Sequence, residues 1–107
     1  MEYLGNIKRD VDCKRRIKFP AEWIDDSLET EIFFVKGEKH IKIFSYGQWK
    51  NKIHDLGDDD HVIEFAKNST KRNIDKSHRI ILPDYIKSEN VILIGVVDYI
   101  VIEESAE

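Results

Sequence analysis

The chain has 107 residues, 41% of them hydrophobic, which is enough for one modest core and too little for two independent ones. Its single cysteine excludes an intramolecular disulfide framework, and no CxxC or Cys/His cluster suggests structural zinc. A net charge of −4 argues at first against a polyanionic partner, because such binding is driven by lysine and arginine displacing counterions.

Taken in chain order, Lys8 and Arg9 lie on a strand approaching a turn at Asp12–Arg15. Alternation along that strand puts at most one of the two on the face of the turn. Arg16 to Phe19 reads as a short apolar-rich strand ended by Pro20, since proline cannot donate to a sheet ladder. Pro20 to Trp23 suits a short helical turn with the acids Glu22, Asp25 and Asp26 following. Glu31 to Phe44 reads as a hairpin, with IFFV and HIKIF flanking a polar loop at Lys36–Lys39. Ser45 to Leu56 places Trp49, Ile53 and Leu56 on one face of an amphipathic helix ending at Gly57. Asp58 to Asp60 then reads as a solvated linker, and His61 to Phe65 as a strand. A second short strand, Arg79 to Leu82, ends at Pro83. The spacer DYIKSEN leads into a second hairpin, VILI and YIVI around Gly95-Val96-Val97-Asp98.

The most informative pattern occurs twice, as DCKRRIKFP from Asp12 and DKSHRIILP from Asp75. Asp, Arg, Ile and Pro recur at one offset of 63 residues, the mark of a duplicated unit that packs against its twin. Charge follows the repeat: Lys8–Lys18 and Lys67–Arg79 each carry +4, while residues 19–66 carry −6 and the tail from Ile80 −5. A field positive only around the duplicated motif steers an anion to that face. The bland reading of the same runs is a solvated strand surface.

Tyr3, Gly5, Asp12, Lys14, Arg16, Ile17, Phe19 and Pro20, followed by IKIFSYGQW with Trp49 and then by NIDKSHRIILP and VILIGVVDYIVIEE, resemble the two repeats of the MraZ family of transcriptional regulators, in the SpoVT-AbrB class. The resemblance covers most of the chain. It implies a mainly β fold with short helices, a double swapped-hairpin AbrB-like barrel built from two tandem repeats. The expected organisation is a single composite domain over 1–107, with the first repeat and linking helix at 3–56 and the second repeat at 61–104. The implied function is sequence-specific binding of double-stranded DNA in a bacterial nucleoid, regulating division and cell-wall genes, by a ring-like homo-oligomer. Where the family has glycine before the motif arginine, this chain has Arg15 and His78; a left-handed turn there costs a non-glycine residue about 1 kcal/mol.

The expected DNA-binding residues are Lys8, Arg9, Lys14, Arg15, Arg16, Lys76, His78 and Arg79. Arg16 and Arg79 either pair with Asp12 and Asp75 to fix the turn or reach phosphates and guanine edges, and the two roles are compatible. Lys14 is expected on a phosphate; Arg15 either adds a cation to it or points to solvent. Lys76, Ser77 and His78 stand where Cys13, Lys14 and Arg15 stand in the first copy, so the first turn is expected to dominate.

No catalytic role is expected, because the four histidines are scattered and no Gly-rich phosphate loop or nucleophile motif occurs. Cys13, beside an aspartate that opposes thiolate formation, is not expected to act as a redox thiol. No cofactor, metal, small-molecule substrate or membrane is implied: no run of about 18 apolar residues occurs, and the start MEYLGNIKRDVD lacks the apolar core of a signal peptide, so the expected location is the cytoplasm. The alternative reading is an antitoxin-like or assembly module of the same fold that holds a protein partner.

Overall fold

Each repeat's first strand pairs with the hairpin of the other repeat, and this exchange organises the molecule. The structure, a computed structural model, describes residues 3–24 and 31–105; Asp25, Asp26 and the last two residues of the acidic tail lie outside the described residues. In chain order the strands are β1 (Tyr3–Asp10), β2 (Arg16–Lys18), β3 (Glu31–Lys36) and β4 (Ile41–Ser45). Two helices follow, α1 (Tyr46–Leu56) and α2 (Asp59–Lys67), and then β5 (Ser69–Asn73), β6 (Arg79–Ile81), β7 (Asn90–Val97) and β8 (Tyr99–Glu104).

Six strands form one antiparallel sheet in the order β1-β7-β8-β4-β3-β5, and β2 and β6 form a separate two-stranded ribbon. The sheet is open, with β1 and β5 as its edges, and does not close as the expected barrel. The pairings describe an approximate two-fold axis. Ile17 opposes Ile80 in the ribbon with Arg16 opposite Ile81 and Lys18 opposite Arg79, and Lys42 opposes Val101 between β4 and β8. Equivalent hairpin residues, such as Ile32 and Val91, stand 59 rather than 63 residues apart, because the second copy has the shorter spacer after its proline.

The core lies between the ribbon and one face of the sheet. Ile17 and Ile80 from the ribbon, Phe19, Leu82, Trp23 and Ile86 just beyond it, and Ile32, Phe34, Val91 and Leu93 from the sheet are all buried. Burying a side chain of this size stabilises the fold by about 1.5–3 kcal/mol. On the opposite face, α1 and α2 cover the first hairpin. Trp49 stacks on Phe33 with ring centroids 4.2 Å apart, and Phe65 packs on Trp49 and Phe44 at 6.2 and 6.3 Å.

Three local readings are corrected. His61 to Phe65 is helical, part of α2, and Asp58–Asp60 is its start rather than a linker. Asp58 accepts from the backbone N–H of His61 at 3.0 Å, Asp59 and Asp60 sit in the first turn and Lys67 in the last, each favourable to the helix dipole. The first strand of the second copy is instead β5, whose sequence STKRN offers no apolar signal. The 63-residue offset, carried upstream, aligns Lys8-Arg9 with Lys71-Arg72 and Val11 with Ile74 and would have found it. The expected loop at Gly95–Asp98 is also shorter than read, since β7 runs through Val97 and turns at Asp98. Gly95 belongs in that strand: a Cβ there would lie 2.5 Å from the backbone carbon of Tyr3 on β1.

The helix expected over Ser45–Leu56 is α1, where Ser45 and Gln48 form a reciprocal cap, and the helical turn expected after Pro20 is a short 3-10 turn over Ala21–Trp23.

Candidate nucleic-acid interface

Both turns are built on one aspartate. Oδ1 of Asp12 accepts from the backbone N–H groups of Lys14 and Arg16 at 2.9 and 2.8 Å; Oδ1 of Asp75 accepts from Ser77 and Arg79 at 2.8 and 2.9 Å. The short carboxylate thus replaces water on two N–H groups that the tight chain reversal leaves unpaired. These donors, led by the N–H of Arg16 and of Arg79, hold both carboxyls below the usual aspartate range. Arg15 and His78 occupy the left-handed region at φ 62° and 63°, the places where the resembled family carries glycine. Each turn therefore carries a non-glycine side chain at its left-handed position.

Past the turns, the backbone crosses from one copy to the other. The N–H of Phe19 donates to the carbonyl of His78 at 2.7 Å, and that of Leu82 to the carbonyl of Arg15 at 2.9 Å. The two turns are thereby held side by side across the ribbon. With Ile17 and Ile80 pointing into the core, alternation puts Arg16, Lys18, Arg79 and Ile81 on the outer face of the ribbon. Ile81 is 51% exposed there.

Two further guanidinium groups flank the ribbon symmetrically. Nε of Arg9 on β1 donates to the carbonyl of Lys18 at 2.9 Å, and Nε of Arg72 on β5 donates to that of Ile81 at 3.0 Å. The result is a band of five cations, Arg9, Arg16, Lys18, Arg79 and Arg72, running across the pseudo-two-fold, with Lys14, Lys76 and His78 exposed in the turns at its margins.

Of the expected residues, the fold brings together Arg16 and Arg79 on the ribbon, Arg9 beside it on β1, and Lys14, Lys76 and His78 in the turns. Lys8 is not among them, since its neighbour Arg9 takes the ribbon side of β1. Arg15 does not extend to solvent. Its guanidinium donates to the carbonyl of Ile86 at 2.7 Å and approaches Glu89 at 4.0 Å, both in the other repeat. Nε of Arg16 donates to Oδ2 of Asp12 at 2.9 Å, and its Nη1 lies 4.0 Å from Asp75. The guanidinium of Arg79 donates no hydrogen bond among the described residues. Lys18 and Arg72 were missed, although the extended offset marks Arg72 as the twin of Arg9. Lys71, the twin of Lys8, pairs with Glu31 at 3.1 Å. Cys13 is exposed at the turn.

No protein-family model matches this chain, and no curated protein does. The site is therefore read from its geometry and from the motif resemblance alone. No helix among the described residues is long and apolar enough to cross a membrane.

Proposed function

We propose that the protein is a DNA-binding transcriptional regulator of the MraZ type, with the strand exchange representing the swapped-hairpin AbrB arrangement in a single chain. The observation that carries this reading is the two-fold-related cationic band on the β2–β6 ribbon. The major groove of B-DNA is about 12 Å wide and admits a two-stranded ribbon. A ribbon whose outer face carries Arg16, Lys18 and Arg79 matches that groove in charge, and Arg forks can grip guanine O6 and N7. Exposed Ile81 has the right chemistry to meet a thymine methyl. Lys14, Lys76, Arg9 and Arg72 lie where phosphates flanking the groove would pass, and such contacts set register rather than sequence. Association of several chains would add weak contacts in series, which is the basis for proposing a homo-oligomer.

The test is an electrophoretic shift with DNA fragments selected by the pure protein from a random pool. Retention of fragments sharing a motif, with binding that collapses as salt rises, is the expected result. Absence of retardation at low salt would overturn the reading and leave the protein-binding module of the same fold.

A further inference from the structure

The two helices pack on the first hairpin around Trp49 and leave a groove beside it. Alternation along β3 and β4 turns Ile32, Phe34 and Ile43 to the core and Phe33, Val35, Lys42 and Phe44 to the helix side, with Phe33 opposite Phe44 and Val35 opposite Lys42. Trp49 and Phe65 close over the first of these pairs. Next to them lies an open groove of about 320 Å³, walled by Val35, Phe44, Leu56 and Phe65. That volume falls at the lower end of the range for small-molecule sites, which combine apolar walls with a few polar groups that orient the ligand.

The polar groups are few and net positive. Lys42 and Lys52 line the groove against one carboxylate, that of Glu64, which already accepts from the side-chain amide of Asn68 at 3.4 Å. The ammonium of Lys42 is held 5.0 Å from the centre of the Tyr99 ring, and Lys52 makes no hydrogen bond or ion pair among the described residues. Lys36 also borders the groove but sends its ammonium over the Tyr85 ring, and its backbone N–H donates to the carbonyl of Asn68 at 2.9 Å, tying the end of β3 to the end of α2. The groove is thus braced before any ligand arrives. Two histidines lie along it, yet Nδ1 of His61 is engaged by Asp58 at 2.6 Å, and no three metal-ligating side chains come together among the described residues. Apolar walls disfavour a heavily hydrated phosphate, and two ammonium groups disfavour an amine. An apolar body carrying a single carboxylate answers both the walls and the charge.

We propose that the groove between α1, α2 and the β3–β4 hairpin binds a small apolar monocarboxylic acid, its body against Val35, Phe44, Leu56 and Phe65 and its carboxylate met by Lys52 and Lys42. The groove lies on the face of the sheet opposite the cationic ribbon, so its ligand does not compete for that surface. The inference is independent of the DNA-binding reading, and either can fail without the other.

The probe is 2-naphthoate, titrated calorimetrically into the full chain at low salt. Saturable binding of one molecule per chain is expected, with NMR amide shifts concentrated at Val35, Leu56 and Phe65. The 2-naphthylmethylammonium ion, of similar body and opposite charge, should bind at least about tenfold more weakly, because attraction to two lysines becomes repulsion. Acetate, which has the charge without the body, should not bind. Lys52 is exposed, so Lys52→Gln should keep the circular dichroism spectrum and weaken 2-naphthoate about threefold, the worth of one exposed ion pair. No binding of 2-naphthoate at millimolar concentration, equal binding of the ammonium ion, shifts centred elsewhere, or unchanged affinity in folded Lys52→Gln would each overturn the inference. Failure of 2-naphthoate to bind, together with loss in Lys52→Gln of an assembly that light scattering finds in the unaltered chain, would assign the groove to a second copy instead.

Discussion

The turns at Asp12–Arg16 and Asp75–Arg79 share a backbone and differ in what their side chains are committed to. In the first, Arg15 ties to Ile86 and Arg16 to Asp12. In the second, His78 is exposed and the guanidinium of Arg79 donates no hydrogen bond among the described residues. Duplication preserved the part of the motif that shapes the chain and let the rest diverge, one copy toward bracing the interface between repeats and the other toward an available cation. Counting charges favours the first turn as the main contact in the proposed DNA binding; counting uncommitted donors favours the second.

The largest expected difference between the copies lies in the hairpins that receive the exchanged strands. Gly95→Ala would drive a Cβ to within 2.5–2.6 Å of the β1 backbone and should destabilise the fold by about 3 kcal/mol in urea unfolding. Lys36, at the equivalent place in β3, is exposed, and Lys36→Ala should stay within about 0.5 kcal/mol. Equal losses at the two sites would break the claim that only the second hairpin needs close backbone approach.

DNA affinity separates the two turns next. Arg79→Ala should weaken binding to a selected site by about 1–3 kcal/mol if its fork reads a base. Arg16→Ala should weaken binding less and unfold at lower urea, since its guanidinium already serves Asp12. If titrations find Arg16→Ala the more damaging to affinity while it remains folded, the first turn is the reader and charge count was the better guide. Lys14→Ala and Lys76→Ala should each lower the salt slope by about 0.9.

A smaller effect concerns the left-handed residues. His78→Gly should stabilise the protein by about 0.5–1 kcal/mol by relieving the positive φ, after allowing for the added freedom of the unfolded chain. Arg15→Gly relieves the same strain but loses the bond to Ile86, so its urea midpoint should barely move. A clear gain at both positions would show that the Arg15 bridge contributes nothing.

The smallest is in acid. Asp12 and Asp75 have pKa values depressed on folding, so their contribution is present above the unfolded value of about 3.9 and is lost as pH falls through the lower folded value. Asp12→Asn, which removes a carboxylate with three donors, should flatten the acid limb of the stability curve more than Asp75→Asn, which removes one with two. Thermal unfolding between about pH 4.5 and 2 measures the difference.

The motif turns, both hairpins, the helix after Ser45 and the proline-bounded strands could be read from the residues because each depends on positions a few residues apart: an aspartate with N–H groups two and four residues on, and apolar residues recurring at helical spacing. The start of the second copy could not be read that way. HVIEF alternates enough to mimic a strand, but Phe65 finds Trp49 and Phe44 only when α2 lies on the first hairpin, and β5 gains its place by pairing with β3 rather than by apolar pattern. The role of Arg15 likewise depended on a carbonyl 71 residues away. By itself the sequence determined that a cationic turn led by an aspartate occurs twice. Only the tertiary structure decided that the copies exchange strands, that Arg9 and Arg72 frame one ribbon, and that the two helices lie over the first hairpin, because these depend on long-range pairing and burial that no local spacing encodes.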